Sequence, residues 1–294
     1  MPLGGLPRFG DGWSMGHVIA VMPASGGVGA TTIAAVVAVR AAEAGRSVVA
    51  VDLDRFGGRL DVVLGVEQEP GWRWDHLLDV AGVVDGVGLA RELPIAGTVP
   101  VLSASVGSRR AFGEEWVRIL PDVVAGLAAA HPVTVLDVAR DERVVSAVAG
   151  LVDAWVVVVG TAVPQLAAAA ASVPLLRQAV DEAPAESGTG SVDGSAARGG
   201  LRPRCEPWIV LRGSRIEDDV ADAVTDHLDA PIVATVGDDL RLVSDATSGV
   251  APGSRGRGPV VDAADDLLLR LVSRPPLDLG DGGAPSDVGR RWSA

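Results

Sequence analysis

Residues 18–32 read VIAVMPASGGVGATT and combine three local patterns in one short stretch. The first five residues are apolar without alternation, which is typical of a strand buried on both faces of a parallel sheet. A glycine-rich turn follows, and an Ala- and Val-rich helix is predicted over Thr31–Ala44. A strand, a glycine-rich turn and a helix N-terminus together form a cradle for an anion, because backbone N–H groups and the helix dipole point at it.

The same alternation of short apolar runs with longer helical patterns continues along the chain. Strands are predicted at Val18–Met22, Ser47–Val51, Val99–Ser103, Val133–Leu136, Ala154–Val159, Trp208–Leu211 and Ile232–Thr235. Further helices are predicted at Glu114–Ala130, Gln165–Val180, Glu217–Leu228 and Val260–Val272. Because the strands are continuous Val-rich runs, we expect an α/β fold with a doubly wound, mostly parallel sheet and helices on both faces.

One domain is predicted over residues 17–272. Residues 1–16 and 273–294 are expected to be disordered, and so is an insert at 181–204, which is rich in Gly, Ser, Ala and Pro and lacks an apolar period. The longest apolar stretch, Ala154–Leu176, is interrupted by Gly and Pro, which indicates a strand followed by a helix rather than a membrane span. The first residues have no apolar run of the kind found in signal peptides.

Composition limits the chemistry available to the chain. It carries 25 Lys+Arg against 38 Asp+Glu, a formal net charge of −13, and all of its basic residues are arginine. A lysine Schiff base, a lysine general base and a lysine on a phosphate are therefore excluded. The acidic balance argues against broad nucleic-acid binding, which needs a basic face. The single cysteine, Cys205, excludes an intramolecular disulfide and favours the cytosol, and the histidines are scattered.

The turn after the first strand fits the end of a Walker A loop, G-x-x-x-x-G-K-[ST], with Ala30 at the lysine position. Its candidate phosphate-binding residues are Gly26, Gly27, Val28, Gly29, Ala30, Thr31 and Thr32. Thr31 lies in the first helical turn, where a hydroxyl can ligate Mg²⁺. A tight turn without a ligand is the alternative, but the spacing and the strand–turn–helix context favour a phosphate cradle.

Two predicted strands end in aspartates. Asp52 and Asp54 follow the strand Ser47–Val51, and Asp137 follows the strand Val133–Leu136. The carboxyl ends of strands in doubly wound sheets border the ligand crevice. One carboxylate of the first pair could reach Mg²⁺ through water while the other orients an attacking water, and an apolar strand ending in Asp is the Walker B arrangement. Solvated loop acids are the alternative in each case.

With these residues in place, the chain resembles the MinD/ParA group of deviant Walker A ATPases. Those proteins carry KGGVGKTT where this chain has SGGVGATT, so both lysine positions are replaced, by Ser25 and Ala30. The segment Val51–Gly65, including its aspartates, looks like the MinD segment after the second strand. The resemblance spans residues 17–272. The lysine-free loop looks most like the CpaE/TadZ branch, especially actinobacterial CpaE-like proteins that are found beside secretion and pilus ATPase genes and are often labelled septum site-determining proteins.

The resemblance implies a P-loop NTPase fold, a homodimer, and ATP or ADP with Mg²⁺ as cofactor. Gly26–Thr32 would line the phosphates, Thr31, Asp52 and Asp137 would hold the metal, and Asp54 would be the catalytic residue that positions water. In this group the first lysine reaches the partner's nucleotide across a dimer, and the second holds the β- and γ-phosphates. Without both, we expect weak ATP binding and slow or absent hydrolysis, which leaves enzymatic activity open.

The expected function is positional. The protein would place a pilus or secretion apparatus, or the septum, with a secretion or pilus ATPase or division proteins as partners. It would be cytoplasmic and recruited by them to the inner membrane face or a cell pole. A working ATPase in which Arg55 or Arg59 replaces the lysines is one alternative, and a nucleotide-free scaffold is another. CpaE relatives often have an N-terminal receiver-like domain, which is expected to be absent or truncated here.

Three features outside the cradle bear on partner, membrane and base binding. Trp72 and Trp74 could form a partner surface, although core packing is the favoured interpretation. The helix Val260–Val272 is amphipathic, but its polar side is acidic, so core packing is expected rather than direct membrane binding. After Trp208–Leu211, where relatives often carry Asn for the adenine, the chain has Arg212 and a glycine, which puts base recognition there in question.

Overall fold

The computed structural model describes residues 17–55, 59–80, 82–105, 113–183 and 206–273. The strands are β1 (His17–Pro23), β2 (Val48–Leu53), β3 (Ile95–Ala96), β4 (Val99–Leu102), β5 (Val133–Val138), β6 (Ala154–Gly160), β7 (Trp208–Arg212) and β8 (Ile232–Val236). The helices are α1 (Ala30–Glu43), α2 (Leu60–Val63), α3 (Gly86–Glu92), α4 (Glu114–Ala130), α5 (Glu142–Val148), α6 (Val163–Glu182), α7 (Asp218–Leu228), α8 (Leu240–Thr247) and α9 (Pro259–Ser273).

The strands form one sheet in the order β3-β4-β2-β5-β1-β6-β7-β8. Every pairing is parallel except that between β3 and β4, which is antiparallel. This confirms the doubly wound, mostly parallel sheet that the Val-rich runs predict. Strand β1 lies between β5 and β6, so the chain order reverses around it, and its carboxyl end borders the crevice where such sheets bind ligands.

Helices cover both faces of the sheet, and each face has its own apolar core. On one face, α4, α5 and α6 enclose the buried side chains of Trp74, Trp116 and Trp155. On the other face, the alanines and valines of α1 pack with the buried leucines of α9. An ion pair between Arg40 and Asp265, with a nitrogen–oxygen distance of 2.8 Å, joins these two helices. Burial of α9 against α1 agrees with the expected core-packing role of this helix.

The two tryptophans of the segment after α2 have different roles. Trp74 is fully buried and meets the ring of Trp116 edge-on, with ring centroids 5.8 Å apart. Trp72 is 40% exposed and stacks on the ring of His76. The core interpretation therefore holds for Trp74, whereas Trp72 keeps part of its ring at the surface.

Long predicted elements agree with the structure to within about two residues, and α4 agrees at both ends. The patterns do not predict α2, α3, α5, α8 or β3, which are short. Helix α6 continues to Glu182, two residues into the insert predicted at 181–204, and α9 ends at Ser273, the first residue of the tail predicted at 273–294. The predicted disorder at 1–16, 184–204 and 274–294 lies outside the described residues. Among the described residues, none of the helices has the length and apolar content needed to cross a membrane.

Candidate nucleotide site

The loop between β1 and α1 has a backbone that requires glycine. Gly27 and Gly29 have φ angles of 76° and 84°, in the left-handed region that residues with a side chain rarely adopt. A Cβ atom added at Gly26, Gly27 or Gly29 would meet no other atom within 4 Å. The backbone angle, not crowding, therefore dictates the glycines at 27 and 29, and the space next to these three glycines is open.

Helix α1 begins at Ala30, directly after this loop. Gly29 is its N-cap residue, and within the described chain no side chain caps the helix. The first N–H groups of a helix have no partner inside the helix, and together with the helix dipole they favour an anion. The loop predicted to hold a phosphate therefore has the geometry of an anion cradle, in which Gly26 and Gly27 are exposed whereas the side chains of Val28 and Ala30 are buried.

Neither residue at a lysine position supplies a charge. Ala30 is 4% exposed at the start of α1. The hydroxyl of Ser25 is buried and has no hydrogen-bond partner among the residues that the structure describes. Two arginines do contact the loop: Nη1 of Arg140 donates to the carbonyl of Ala24 at 3.3 Å, and Nη1 of Arg212 donates to the carbonyl of Gly27 at 3.4 Å.

The arginines proposed from the sequence as replacements are paired with aspartates. Nη2 of Arg55 lies 3.3 Å from Oδ2 of Asp141, the residue that caps α5. Arg59 forms a two-pronged contact with Asp61, with nitrogen–oxygen distances of 3.0 and 3.1 Å. Both guanidinium groups proposed as replacements therefore already have acidic partners.

Asp52 and Asp137 stand side by side at the carboxyl ends of β2 and β5, where they are paired in register. Asp52 is 5% exposed and Asp137 is 2% exposed. Asp52 accepts hydrogen bonds from the backbone N–H groups of Asp54, at 2.9 Å, and of Leu60, at 3.0 Å. Burial nevertheless raises the pKa of Asp52 to about 7, and the neighbouring charges of Asp54 and Asp61 add to the increase.

Asp137 is also buried beside other carboxylates. Burial raises the pKa of Asp137 well above its ordinary value, and the charge of Asp52 raises it further, against a hydrogen bond from the hydroxyl of Thr31. Among the described residues, no group donates to Oδ2 of Asp137. The predicted metal ligands Thr31, Asp52 and Asp137 therefore come together, with Asp54 beside them, around a buried carboxylate oxygen that lacks a partner.

This donor set fits a divalent cation. Carboxylate and hydroxyl oxygens are the ligands that Mg²⁺ prefers, and a cation would stabilise the ionised forms of these two buried carboxyl groups. Within the described part of the chain, no group of three or more His, Cys, Asp or Glu side chains could hold a metal ion by itself. Mg²⁺ is commonly held by one or two carboxylates together with substrate phosphates and water, which is the arrangement that these residues allow.

A cleft of about 410 Å³ opens beside the loop. Its polar side includes Thr32, Arg212 and Asp239, together with Gly27, Gly29 and Gly237. Its apolar side comes from Ile33, Val63, Val236, Leu242, Val243, Pro252 and Val260. A volume of this order, with mostly apolar walls and a few convergent polar groups, is typical of small-molecule sites.

Two contributions to the site are not apparent from the sequence. The indole Nε1 of Trp74 donates to the backbone carbonyl of Asp52 at 2.8 Å and so fixes the end of β2 from the core side. Arg140 lies three residues after Asp137, and Arg212 ends β7. Their positions after parallel strands were the available signal, because such residues gather at the same edge of the sheet.

Comparison with known proteins supports the assignment of the loop. Residues 14–81 match the ParA family model, described as NUBPL iron-transfer P-loop NTPase. A stretch of 97 residues is 36% identical to an uncharacterised protein of Mycobacterium tuberculosis, present in strains CDC 1551 and H37Rv. That match covers 33% of this chain and 26% of the relative, so the chain spans about a quarter of the relative's length.

Solved structures share the fold over most of the chain at low identity. A ParA family ATPase from Chlorobium tepidum superposes with a TM-score of 0.64 at 17% identity, over 87% of this chain and 98% of that chain. The MinC:MinD complex of Aquifex aeolicus gives 0.62 at 19%, over 87% and 95%. MinD of Pyrococcus horikoshii, complexed with Mg-ADP, gives 0.58 at 20%, over 87% and 96%. This chain therefore has the MinD/ParA P-loop NTPase fold, and its residues 14–81 carry the ParA family pattern.

Proposed function

We propose that this protein is a MinD/ParA-like positional protein of the CpaE/TadZ type with a weakened nucleotide site. It binds ATP or ADP with Mg²⁺ weakly and hydrolyses ATP slowly or not at all. The observation that carries this proposal is a phosphate loop with glycine geometry and an adjacent carboxylate pair, but with Ser25 and Ala30 at the lysine positions.

The carboxylate pair argues for a bound ligand rather than a scaffold without one. A buried carboxylate without a cationic partner is costly, and the raised pKa of Asp52, about 7, reflects that cost. A cation shared with a nucleotide phosphate would remove it. Thr31 and Asp137 would hold Mg²⁺, Asp52 would contact it through water, and Asp54 would orient water for attack on the terminal phosphate.

The missing lysines argue for weak binding and slow turnover. A hydrogen bond to a charged group contributes about 1.5–3 kcal/mol, so two lost ammonium contacts lower nucleotide affinity by one to several orders of magnitude. Hydrolysis suffers more than binding, because phosphoryl transfer depends mainly on electrostatic stabilisation of the transition state. A protein with such a site is better suited to report nucleotide occupancy than to drive a cycle of rapid hydrolysis.

The positional role and its partners rest on the resemblance. The lysine-free loop is similar to that of CpaE-like proteins, and one structural neighbour was solved as a complex of MinD with MinC. We therefore place the protein in the cytoplasm as a homodimer. Its partners would be a secretion or pilus ATPase, or division proteins, which recruit it to the inner membrane face or a cell pole.

Calorimetric titration with ATP and ADP in Mg²⁺, followed by a phosphate-release assay, tests the nucleotide part of this proposal. Binding without turnover is the expected result. Turnover that Asp54→Ala abolishes would favour the alternative of a working ATPase. An absence of binding heat at millimolar nucleotide would contradict the proposal and leave the nucleotide-free scaffold.

Restoring one lysine gives a matched gain-of-function test. Ala30→Lys places an ammonium group at the position that holds the β- and γ-phosphates in relatives, and we expect ATP affinity to rise by about tenfold or more. Ala30→Met is the control, because it adds a side chain of similar length without a charge. Equal effects of the two substitutions on affinity would show that the missing charge does not limit binding.

A further inference from the structure

Arg212 extends from a fixed backbone position toward the phosphate loop. It is the last residue of β7, where it pairs in register with Gly160 of β6 and Val236 of β8. Its carbonyl accepts a hydrogen bond from the N–H of Thr161 at 3.1 Å. The sheet therefore holds the backbone of Arg212 on both sides at the edge where the loop lies, and the side chain starts from a well-defined point.

The guanidinium group of Arg212 is held loosely by comparison. Its Nη1 lies 3.4 Å from the carbonyl of Gly27, and its Nη2 lies 3.4 Å from Oδ1 of Asp238. The side chains of Arg212 and Asp238 are 37% and 61% exposed, and an exposed pair at this distance contributes little. A phosphate offers a guanidinium shorter, two-pronged and charge-assisted contacts, so it can displace both partners.

The contact with Gly27 brings this group to the loop that is predicted to bind phosphates. Gly27 belongs to the anion cradle, and Arg212 lines the cleft together with Gly27, Gly29 and Thr32. The guanidinium is therefore next to the loop in which the lysine positions are Ser25 and Ala30.

We propose that Arg212 binds a phosphate of a nucleoside di- or triphosphate in this cleft and supplies part of the charge that the loop lacks. Asp238 competes with the phosphate for the guanidinium, so nucleotide binding transfers Arg212 from Asp238 to the ligand. This inference rests on the proposed nucleotide binding and assigns a new role to a position that faces the base in relatives.

Calorimetric titration of the full chain with ATP, ADP and adenosine in Mg²⁺ tests the role of Arg212. We expect Arg212→Ala to lower ATP and ADP affinity by about tenfold or more and to leave adenosine affinity unchanged. Arg215→Ala is the matched control, because Arg215 is an exposed arginine in the loop after β7 and its loss changes the net charge equally. Equal effects of the two substitutions, or an equal loss of adenosine and ATP affinity in Arg212→Ala, would overturn the inference.

A double-mutant cycle tests the competition. Asp238→Asn is expected to raise ATP affinity several-fold in the wild-type background and to have a clearly smaller effect in the Arg212→Ala background. The same increase in both backgrounds would show that Asp238 acts through its charge alone, and would overturn its proposed competition for Arg212.

If wild-type protein binds neither ATP nor ADP, the proposed function fails together with this inference. If wild-type protein binds and Arg212→Ala binds equally well, only the inference fails.

Discussion

Two buried aspartates, Asp61 and Asp137, both neighbour Asp52 but have opposite surroundings. Asp61 is 1% exposed and is paired with Arg59, at 3.0 Å, and with Arg73, at 3.6 Å. Asp137 is 2% exposed, and its charged neighbours include Asp52 and Asp54, which carry the same sign. The first carboxylate is neutralised by the chain itself, whereas the second has charge that a cation or a proton must neutralise.

The charged groups around Asp61 have partners within the protein, whereas Oδ2 of Asp137 has none among the described residues. Arg73 is buried, donates to the hydroxyl of Ser103 and the carbonyl of Val66 at 2.8 Å each, and contacts the carbonyl of Glu69 at 3.1 Å. A buried charge network stabilises a fold only when all its members are satisfied. The difference between the two aspartates therefore fits a structural role for Asp61 and the proposed ligand-binding role for Asp137.

Matched substitutions at these two positions should give the largest contrast. Asp61→Asn leaves the buried guanidinium of Arg73 without its carboxylate, and we expect the free energy of unfolding to fall by about 3–5 kcal/mol. Asp137→Asn removes a carboxylate that has no cationic partner in the described chain, so stability should be unchanged or higher. Urea unfolding at pH 8 without Mg²⁺ measures both. A similar loss in the two variants would refute the distinction drawn between them.

The second prediction concerns the pH dependence of the free energy of unfolding. The pKa of Asp52 is raised in the folded protein to about 7, so the folded state binds the proton more tightly than the unfolded state does. The resulting stabilisation is fully present below pH 4 and is lost as pH rises through about 7. Between pH 5 and pH 8 this group should lower the free energy of unfolding by on the order of 3 kcal/mol.

Asp52→Asn isolates this effect, because it removes the titrating group and keeps a side chain of the same shape. Its unfolding free energy should change less between pH 5 and pH 8 than that of the wild type, whatever the constant offset from altered hydrogen bonding. Mg²⁺ should stabilise the wild type more at pH 8 than at pH 5, because a cation competes with the proton. Parallel pH profiles for the two proteins would contradict the assigned origin of the raised pKa.

The contrast between the two aspartates also marks what the sequence could predict. The Val-rich strands and the glycine-rich turn carry strong local patterns, so the sheet could be predicted. The aspartates lie at the ends of predicted parallel strands, so the approach of Asp52 to Asp137 could be predicted as well. Asp61 lies two residues after Arg59 in sequence. Arg73 contacts Asp61 because of the path of the loop between them, and no periodic sequence pattern predicts that path. The role of Asp61 as a structural acid therefore could not be derived from the sequence.

The same reasoning applies to the arginines. Arg55 and Arg59 are close in sequence to the predicted metal ligands, which made them candidates to replace the lysines. The contacts of Arg140 and Arg212 with the loop depend on the order of strands in the sheet. This order places β5 next to β1 and β7 two strands from it, so the carboxyl ends of all three lie near the loop. Sequence distance from a motif is therefore a poor guide to which cation contacts it.

The smallest expected effect concerns the hydroxyl next to Asp137. If the partnerless oxygen of Asp137 holds Mg²⁺ together with Thr31, Thr31→Ala should lower Mg²⁺-dependent ADP affinity by about tenfold, because it removes one ligand. Thr31→Ser keeps the hydroxyl and should stay within about twofold of the wild type by the same reasoning.

Titrations with ADP in Mg²⁺ and in EDTA separate metal-dependent binding from direct contact with the phosphate. A loss of the same size in EDTA would show that Thr31 contacts the nucleotide directly. Asp137 would then be left without its proposed partner in metal binding, and its difference from Asp61 would need another explanation.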